Sequence, residues 1–358
     1  MATSLSKIAA VASRCRAAAD HYGASFPAVF RRVTQLRLVE RYRPKETFLW
    51  GLADPNLPDA QARRYLSRAQ VHALQLQQNP MSLSYLTEDK AVFYAYCRGN
   101  GIRIPELYGV FHRAGGWSTE GPVLHGRGPW RELFEQELPP RFVVKPSKGV
   151  YARGLRVLER KAGTFEDPTG ETLTAEELHD ALAADPDFGT FVIQERLDND
   201  PSIERLSGRR ALQTVRAVTL VDDERREPQL LFACLKVIVG AGDSDNFDYG
   251  RSGNLLADID LDSGRLRQVR GGHGSGFGLV THEVHPETGA KFADFVVPHW
   301  PRLRRLALEA AIKFLPLRTI GWDIAVTPSG PSIVEGNVWW DPLHNAHQHL
   351  PRYVDASA

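Results

Sequence analysis

The sequence is poor in cysteine and contains no long apolar run. Its three cysteines, Cys15, Cys97 and Cys234, lie far apart and form no Cys-x-x-Cys pair. This spacing supports neither a disulfide framework nor a cysteine zinc site, so we expect a reducing, cytoplasmic compartment. Even the apolar stretch 230–241 is interrupted by Lys236 and falls short of the ~18 uncharged apolar residues that span a bilayer. We therefore expect no transmembrane span.

The sequence also lacks a large excess of charge of either sign. Over 358 residues, 44 lysines and arginines balance 43 aspartates and glutamates, which leaves a formal charge of +1. A protein whose main task is to coat nucleic acid needs a net basic face, so we expect no specific nucleic-acid partner. An apolar content of 42% supports a real core rather than global disorder. The length predicts about two or three domains.

The first fifty residues depart from this balance. Apolar residues at helix spacing predict helices over residues 1 to about 84. The only acids between positions 7 and 45 are Asp20 and Glu40, against these bases: Lys7, Arg14, Arg16, Arg31, Arg32, Arg37, Arg41, Arg43 and Lys45. Such an excess fits a solvated helix face, an acidic partner or a phosphate-rich surface, and the part before Asp20 also resembles an organelle presequence. The partner of this basic region is unknown from the sequence.

The pattern changes near residue 85. Thr87-Glu88-Asp89-Lys90 predicts a helix start, and Thr174 predicts another helix that runs through Leu182. A long helix is predicted over about 301–314. Apolar runs bounded by turn residues predict strands over 141–146, 155–158, 191–195, 214–221, 229–239, 320–326 and 332–336.

A lysine and a glycine-containing loop follow the first of these strands. Lys145 ends the strand, and the loop behind it contains Gly149 and Gly154. Such a hairpin can fold over phosphates, because glycine lets backbone amides approach anionic oxygens and the ammonium group adds positive charge. The loop matches neither GxxxxGK[ST] nor GxGxxG, so taken alone it also fits an ordinary hairpin.

Two acids and an amide lie on the last two predicted strands. Asp323 is on one strand, Glu335 and Asn337 are on the next, and the turn 328–331 joins the strands. Burying carboxylates is costly unless a cation or a donor pairs with them. Two carboxylates and an amide oxygen are ligands that Mg²⁺ accepts, and a salt bridge to a buried arginine is the alternative.

Two cations lie inside apolar strands. Arg216 is in the strand 214–221 and Lys236 is in the strand 229–239. An interior cation needs an anion, and a transferred phosphoryl group is one candidate. The alternative is that both cations simply neutralise Asp323 and Glu335.

Histidines offer further candidates for acid and base chemistry. His273 lies in the glycine-rich stretch 271–278, whose flexible neighbours could bring it to an acceptor. His344, His347 and His349 near the end of the chain look like zinc ligands, but no matching acid or cysteine spacing supports zinc.

As an ordered set, these residues resemble the ATP-grasp superfamily of carboxylate-amine ligases. More narrowly, they resemble its sugar-transfer-associated branch, which is related to glutamate-ligase-like chains. The resemblance covers about residues 86–348 and rests on this order: Asp89-Lys90, Val144-Lys145-Pro146, the glycine loop, Val192 through Leu197, Thr214-Val215-Arg216, Asp245-Asn246-Phe247 with Gly250, Gly321-Trp322-Asp323, and Glu335-Gly336-Asn337.

The resemblance implies an α+β ATP-grasp fold in which two lobes sandwich ATP, preceded by an N-terminal helical arm. The basic helical region would cover residues 1–84. The N-lobe, with a phosphate lid and a hinge, would cover 85–198. The C-lobe, with the magnesium and acceptor sites, would cover 199–358.

The resemblance also implies roles for single residues. Lys90 and Lys145 match lysines that contact nucleotide phosphates. The lid over the phosphates matches 148–154, with Lys148, Gly149 and Gly154, although Val150, Tyr151 and Arg153 interrupt the family's glycine-richer pattern. Gln194, Glu195 and Leu197 match the hinge at adenine, partly through backbone groups. The ribose acid stays open among Asp198, Asp200 and Glu204.

The remaining matches concern metal and phosphate. Asp323, Glu335 and Asn337 match the magnesium ligands. Arg216 and Lys236 match cations near the transferred phosphate, and Asn246 lies where related ligases approach the phosphates or the acceptor. The implied activity is ATP-dependent ligation of a small-molecule carboxylate to an amine through an acyl phosphate, in glycan or peptide-like metabolite biosynthesis. The alternatives are a nucleotide-binding module beside glycan-assembly enzymes and an ATP-dependent phosphotransferase.

Overall fold

Two antiparallel β-sheets and a group of N-terminal helices build the protein. The computed structural model describes residues 4–63, 65–119, 121, 123–149, 153–222 and 227–341. Val150 and Tyr151 of the predicted lid and the histidines His344, His347 and His349 lie outside these described residues. Within them, no helix combines the length and the apolar character needed to cross a membrane. This mixture of helices and sheets confirms the α+β class.

The N-terminal region is helical, as its apolar spacing predicted. Ser25 begins the second helix by accepting a hydrogen bond from the Ala28 amide, and Ser67 begins the fifth in a capping box with Gln70. The helices are α1 (Ser4–Tyr22), α2 (Phe26–Leu38), α3 (Pro44–Leu49), α4 (Asp59–Ala62), α5 (Arg68–Gln78) and α6 (Tyr85–Glu88), with a 3₁₀ turn at Met81–Leu83.

The first sheet has eight strands. The helix α7 (Lys90–Gly99) precedes it and begins at Asp89, whose side chain accepts from the Ala91 amide, while Thr87 still belongs to α6. The strands are β1 (Leu107–His112), β2 (Gly115–Ser118), β3 (Val123–Leu124), β4 (Arg141–Pro146), β5 (Arg156–Lys161), β6 (Thr164–Glu166), β7 (Thr172–Leu173) and β8 (Thr190–Glu195), in the order β3-β2-β1-β8-β4-β5-β6-β7. Between them lie α8 (Arg127–Glu132), a π-helical turn (Leu133–Glu137) and α9 (Ala175–Ala183).

The second sheet has seven strands and follows α10 (Pro201–Ser207). Its strands are β9 (Thr214–Val221), β10 (Pro228–Val237), β11 (Leu255–Ile259), β12 (Leu266–Gly272), β13 (Leu279–Thr281), β14 (Thr319–Thr327) and β15 (Gly330–Asn337), in the order β13-β12-β11-β10-β9-β14-β15. The helix α11 (Trp300–Lys313) covers one face, where Val215, Ala217 and Trp322 join Trp300 in the main core. Short 3₁₀ turns occur at Asp248–Gly250 and Phe292–Asp294.

The N-terminal helices cover the other face of this second sheet. Val71 and Leu74 of α5 pack against Val218 and Leu220 of β9 and against Trp340. The first two helices, α1 and α2, pack around Phe277 from the glycine-rich stretch. The sequence predicted these helices but not their packing against the second sheet. Through this packing the helices cover one face of the sheet.

All three cysteines are buried free thiols. Cys15 lies in α1, Cys97 in α7 and Cys234 in β10. Burial raises the pKa of each thiol, as expected where apolar surroundings disfavour a thiolate.

Candidate active site

A cavity of about 1190 Å³ is lined by both sheets and by α5. Single small-molecule sites usually measure about 300–1,000 Å³, so there is room here for more than one substrate. The structure brings these sequence-predicted site residues to the cavity wall: Lys90, Lys145, Lys148, Gly149, Gln194, Glu195, Leu197, Arg216, Lys236, Asn246, Asp323, Glu335 and Asn337. Of the predicted set, only Gly154 is not found among the lining residues.

Charged side chains form a row across the second sheet. Arg216 on β9 pairs in register with Asp323 on β14, which in turn pairs with Glu335 on β15. Residues opposite each other in antiparallel strands point to the same face, so the register alone brings these charges together. The sequence predicted these strands, and the turn 328–331 joins the last two as expected.

Asp323 is held by two cations. Arg216 contacts it with both ends of its guanidinium group, Nε to Oδ1 at 2.6 Å and Nη2 to Oδ2 at 3.0 Å. Lys236 Nζ lies 3.0 Å from the same carboxylate. Burial acts to raise the pKa of Asp323, but Arg216 and Lys236 outweigh it and hold the pKa well below its usual value. The pairing that the sequence left as an alternative is therefore present in the structure.

Two lysines approach the row from the first sheet. Lys90 Nζ lies 3.3 Å from Glu335 Oε1 and donates to the Gly149 carbonyl at 3.1 Å. Lys145 Nζ donates to the Tyr94 hydroxyl at 2.9 Å. Burial lowers the pKa of Lys145 to about 7, with Glu335 opposing this effect and Lys90 adding to it. Near neutral pH, Lys145 is therefore present in both its charged and its neutral form.

Tyr94 is a site residue to which the sequence analysis gave no role. It is fully buried, receives the hydrogen bond from Lys145 and donates its own to the Val334 carbonyl at 2.8 Å. It thereby connects β4 of the first sheet to β15 of the second. Its position four residues after Lys90 on α7 places both side chains on one helix face, and that spacing was the available signal.

The two lid glycines have different surroundings. Gly149 lies at the cavity and offers its carbonyl to Lys90. Gly154 has φ +72°, and a Cβ added there would lie 2.8 Å from Pro146 Cγ and 3.0 Å from Phe188 Cε2. Gly154 therefore serves the turn and its close packing. Lys148 extends toward Asp89, with 3.7 Å between Nζ and Oδ2.

The hinge contains an unsatisfied buried acceptor. Gln194 is 4% exposed, and its Oε1 has no hydrogen-bond partner among the described residues. Leaving a buried acceptor unpaired costs about 1–3 kcal/mol, so this atom is suited to a ligand that brings an N–H donor. The Glu195 carboxylate is used differently, since it accepts from the Glu106 amide at 3.1 Å.

The three candidates for the ribose acid have other surroundings. Asp198 pairs with Arg141 at 2.6 Å, and Asp200 caps α10 by accepting from the Ser202 amide at 2.9 Å. Neither they nor Glu204 are among the residues found to line the cavity.

The loop after β10 contributes one acid, Asp245, to which the sequence analysis gave no role. Asp245 accepts from the Thr214 amide at 2.9 Å and from its hydroxyl at 2.5 Å, and lies 3.8 Å from Lys236 Nζ. Asn254 holds the loop in place by donating hydrogen bonds to the carbonyls of Ser244 and Asn246. Asn246 thus reaches the cavity on a loop fixed to both β9 and β11.

The helix α5 of the N-terminal region supplies part of the cavity wall. Arg68, His72 and Gln75 follow one another at helix spacing on α5, next to its buried Val71 and Leu74, and Gln75 is itself buried. The His72 ring stacks on Trp339 with 4.5 Å between centroids, and Arg68 forms an ion pair with Asp341. The sequence analysis assigned no site residue to this region, because the relevant contacts join parts of the chain about 265 residues apart.

His273 does not reach the cavity. Its Nδ1 lies 2.6 Å from Ser275 Oγ, and its ring lies 5.0 Å from the ring of His21 in α1. The hypothesis that His273 approaches an acceptor is therefore not supported by this arrangement.

The donor set at Asp323, Glu335 and Asn337 suits a hard cation. The two carboxylates face each other in register, and the Asn337 amide nitrogen lies 3.4 Å from Asp323 Oδ2, which leaves its oxygen available. Within the described parts of the chain, no group of three His, Cys, Asp or Glu residues could hold a metal ion, so this site offers only two carboxylates and an amide. The chemistry of this donor set fits Mg²⁺, which keeps part of its shell for water and phosphate oxygens.

Solved structures with a similar fold include three enzymes. L-amino acid ligase from Bacillus licheniformis shares 11% identity over 71% of this chain and 40% of that chain, with a TM-score of 0.37. N5-carboxyaminoimidazole synthase from Aspergillus clavatus, in complex with ADP and 5-aminoimidazole ribonucleotide, shares 10% identity over 81% of this chain and 58% of that chain, with a TM-score of 0.42. D-cycloserine synthetase DcsG shares 14% identity over 80% of each chain, with a TM-score of 0.41. This chain thus spans about half the length of the first two proteins.

A family model gives the more direct relationship. No curated protein sequence matches the chain. The model of sugar-transfer associated ATP-grasp proteins matches residues 69–345, which is most of the chain and includes α5 from its second residue together with every predicted site residue. The chain therefore belongs to the sugar-transfer associated ATP-grasp family.

Proposed function

We propose that the protein ligates a carboxylate to an amine at the expense of ATP, through an acyl-phosphate intermediate. The observation that carries this proposal is the convergence of Lys90, Lys145 and the row Arg216, Asp323 and Glu335 on one cavity. Lysines and an arginine around paired carboxylates provide what a triphosphate and its cation need. The family membership and the size of the cavity point in the same direction.

The nucleotide would lie against the first sheet. Gln194 Oε1 is the acceptor available to an adenine amino group, and Leu197 lines the cavity nearby. Lys90, Lys145 and Lys148, together with the backbone at Gly149, would bind the phosphates. Lys90 and Lys145 are both buried, so their charges act in a region of low dielectric constant, where they attract a phosphate more strongly than they would in water.

Asp323, Glu335 and Asn337 would hold Mg²⁺. When bound, Mg²⁺ offsets the negative charge of the phosphates during phosphoryl transfer. Arg216 and Lys236 would act on the same charge, since both contact Asp323 in the structure and Lys236 also lies 3.8 Å from Asp245. An incoming phosphoryl group would give these two cations a further anionic partner, and one well-placed arginine can contribute ~10³-fold or more to such a transfer.

The reaction would proceed in two steps. An oxygen of the substrate carboxylate attacks the γ-phosphorus of ATP, breaks its bond to the β-phosphate oxygen and gives an acyl phosphate and ADP. The amine then attacks the acyl carbon and expels inorganic phosphate, with loss of a proton from nitrogen. The enclosing walls and the loop held by Asp245 would keep water from the acyl phosphate.

The carboxylate and amine substrates would occupy the end of the cavity walled by α5. Arg68, His72 and Trp339 offer a charged group and a stacked aromatic pair there, away from the proposed adenine site at Gln194. The N-terminal helices would thus take part in choosing the substrate.

Incubation with Mg-ATP and a library of amino acids and sugar acids tests the proposal. A ligase releases ADP and inorganic phosphate, and mass spectrometry finds a product joined by a new C–N bond. ATP that binds tightly without turnover would favour a nucleotide-binding module. A phosphate retained on the product would favour a phosphotransferase. Absence of both ADP release and ATP binding by calorimetry contradicts all three.

A further inference from the structure

The open end of the α1–α2 hairpin exposes apolar side chains. Only residues 23–25 join the two helices, so the chain reverses and the first turns of α1 lie beside the end of α2. At that end Leu38 is 75% exposed, Val39 67% and Ile8 59%. With the exposed bases around them they form a group that we call the hairpin patch: Lys7, Ile8, Arg37, Leu38, Val39 and Arg41.

Leu38 of the hairpin patch points away from the buried side of α2. Val29, Val33 and Leu36 are buried on one side of this helix. Arg31 and Leu38, which are seven residues apart, lie on the opposite side and are exposed. The apolar groups of the patch therefore face solvent with no part in the packing of α2, and a partner outside the chain would be needed to cover them.

The exposed bases in and beside the patch have no acidic partner among the described residues. Lys7, Arg31, Arg37 and Arg41 form no ion pair with any described acid, whereas buried Arg32 pairs with Asp59. Of the two acids between positions 7 and 45, Glu40 lies 3.4 Å from Arg63. The positive charge around the patch is thus uncompensated, and it selects an anionic partner.

We propose that the hairpin patch docks on the surface of a membrane that contains anionic phospholipids. A lipid interface offers phosphates to the bases and, just below them, an apolar layer to Ile8, Leu38 and Val39. RNA offers phosphates but no comparable layer for aliphatic side chains, so the exposed Leu38 and Val39 favour lipid. Each base near an anionic surface strengthens binding by about fivefold.

Docking would bring the cavity close to the membrane. Arg41 is two residues from Arg43, which lines the cavity, so their Cα atoms are at most ~7.6 Å apart. One rim of the cavity would therefore lie next to the lipid surface. The proposal is independent of the ligation reaction and can be tested without any substrate.

Sedimentation of the full chain with vesicles provides the test. We expect binding to vesicles of equal parts phosphatidylcholine and phosphatidylglycerol at low salt, no binding to pure phosphatidylcholine, and weaker binding at high salt. Lys7→Glu/Arg37→Glu should weaken binding by about 25-fold or more. Leu38→Ser/Val39→Ser should weaken it severalfold, which tests the apolar contribution with the charge unchanged.

Matched controls separate this patch from general surface properties. Arg304→Glu/Arg305→Glu makes the same change of charge on exposed positions of α11, and Val123→Ser/Ile312→Ser removes exposed aliphatic groups elsewhere. Both should bind as the wild type does. Failure of the wild type to bind anionic vesicles overturns the proposal, as does equal weakening by the controls. Unchanged binding of Leu38→Ser/Val39→Ser, together with tight binding of single-stranded RNA, would assign the patch to nucleic acid and also overturn it.

Discussion

Lys145 should take up a proton when ATP binds. Burial lowers its pKa to about 7 in the ligand-free protein, so about 0.9 of the population is neutral at pH 8 and about 0.1 at pH 6. A triphosphate beside the ammonium group favours the charged form and raises this pKa again. We therefore expect binding at pH 8 to take up about 0.9 proton per ATP on account of Lys145. Above pH 7 the affinity should fall by up to about tenfold for each step of one in pH.

Calorimetry in buffers of different ionisation enthalpy measures this uptake directly. ATP itself exchanges protons near neutral pH, so the informative quantity is the difference between the wild type and Lys145→Arg. The guanidinium stays charged throughout this range, so the variant has no proton to take up at position 145. Lys148→Met removes an exposed lysine from the same cavity wall and should leave the uptake unchanged. Equal uptake by the wild type and Lys145→Arg at pH 8 would refute the reasoning.

Three further predictions follow from the site. Glu335→Gln and Asp323→Asn should each abolish ADP release. Asp323→Asn should also lower stability by about 3–5 kcal/mol in urea titrations, because Arg216 loses its buried partner and Lys236 keeps only Asp245. Turnover by both variants would show that the metal ligands lie elsewhere. Gly154→Ala should lower stability by about 2 kcal/mol, because its φ is +72° and the new Cβ meets Pro146. Gly149→Ala is the control, because its new Cβ would lie 3.4 Å from the nearest atom, which is an ordinary contact distance. Equal melting temperatures of the two variants would contradict this account. His72→Ala should raise the KM for the non-nucleotide substrate while the Kd for ATP stays constant. Gln77→Ala, an exposed position on the same helix, should change neither value. Weaker ATP binding by His72→Ala would contradict the proposal that His72 contacts the carboxylate or amine substrate.

The central strands were predictable because their burial leaves a clear pattern. The apolar run predicted β9 at 214–221 with both bounds as observed, and β14 and β15 within one or two residues. Short edge strands such as β3 (Val123–Leu124) and β7 (Thr172–Leu173) were not predicted, since two residues cannot establish a period. Prediction from the pattern therefore worked best where the sheet is buried on both faces.

The site could be predicted where residues close in the sequence lie opposite each other on neighbouring strands. Asp323 and Glu335 were expected to meet because one tight turn joins their strands, and they do. Contacts between distant segments gave no such signal. The stacking of His72 on Trp339, and the use of Gly154 for packing rather than for phosphate, depend on neighbours far along the chain or on backbone angles.

The three buried cysteines give the protein built-in reporters of local opening. A thiol reagent reacts only with an exposed thiolate, so Cys15, Cys97 and Cys234 should react only when their surroundings open. They lie in α1, in α7, which carries the cavity residue Lys90, and in β10 of the second sheet, which carries Lys236. Labelling followed by peptide mass mapping would therefore measure the opening of each part separately in the unaltered protein, and would show which of them ATP holds closed.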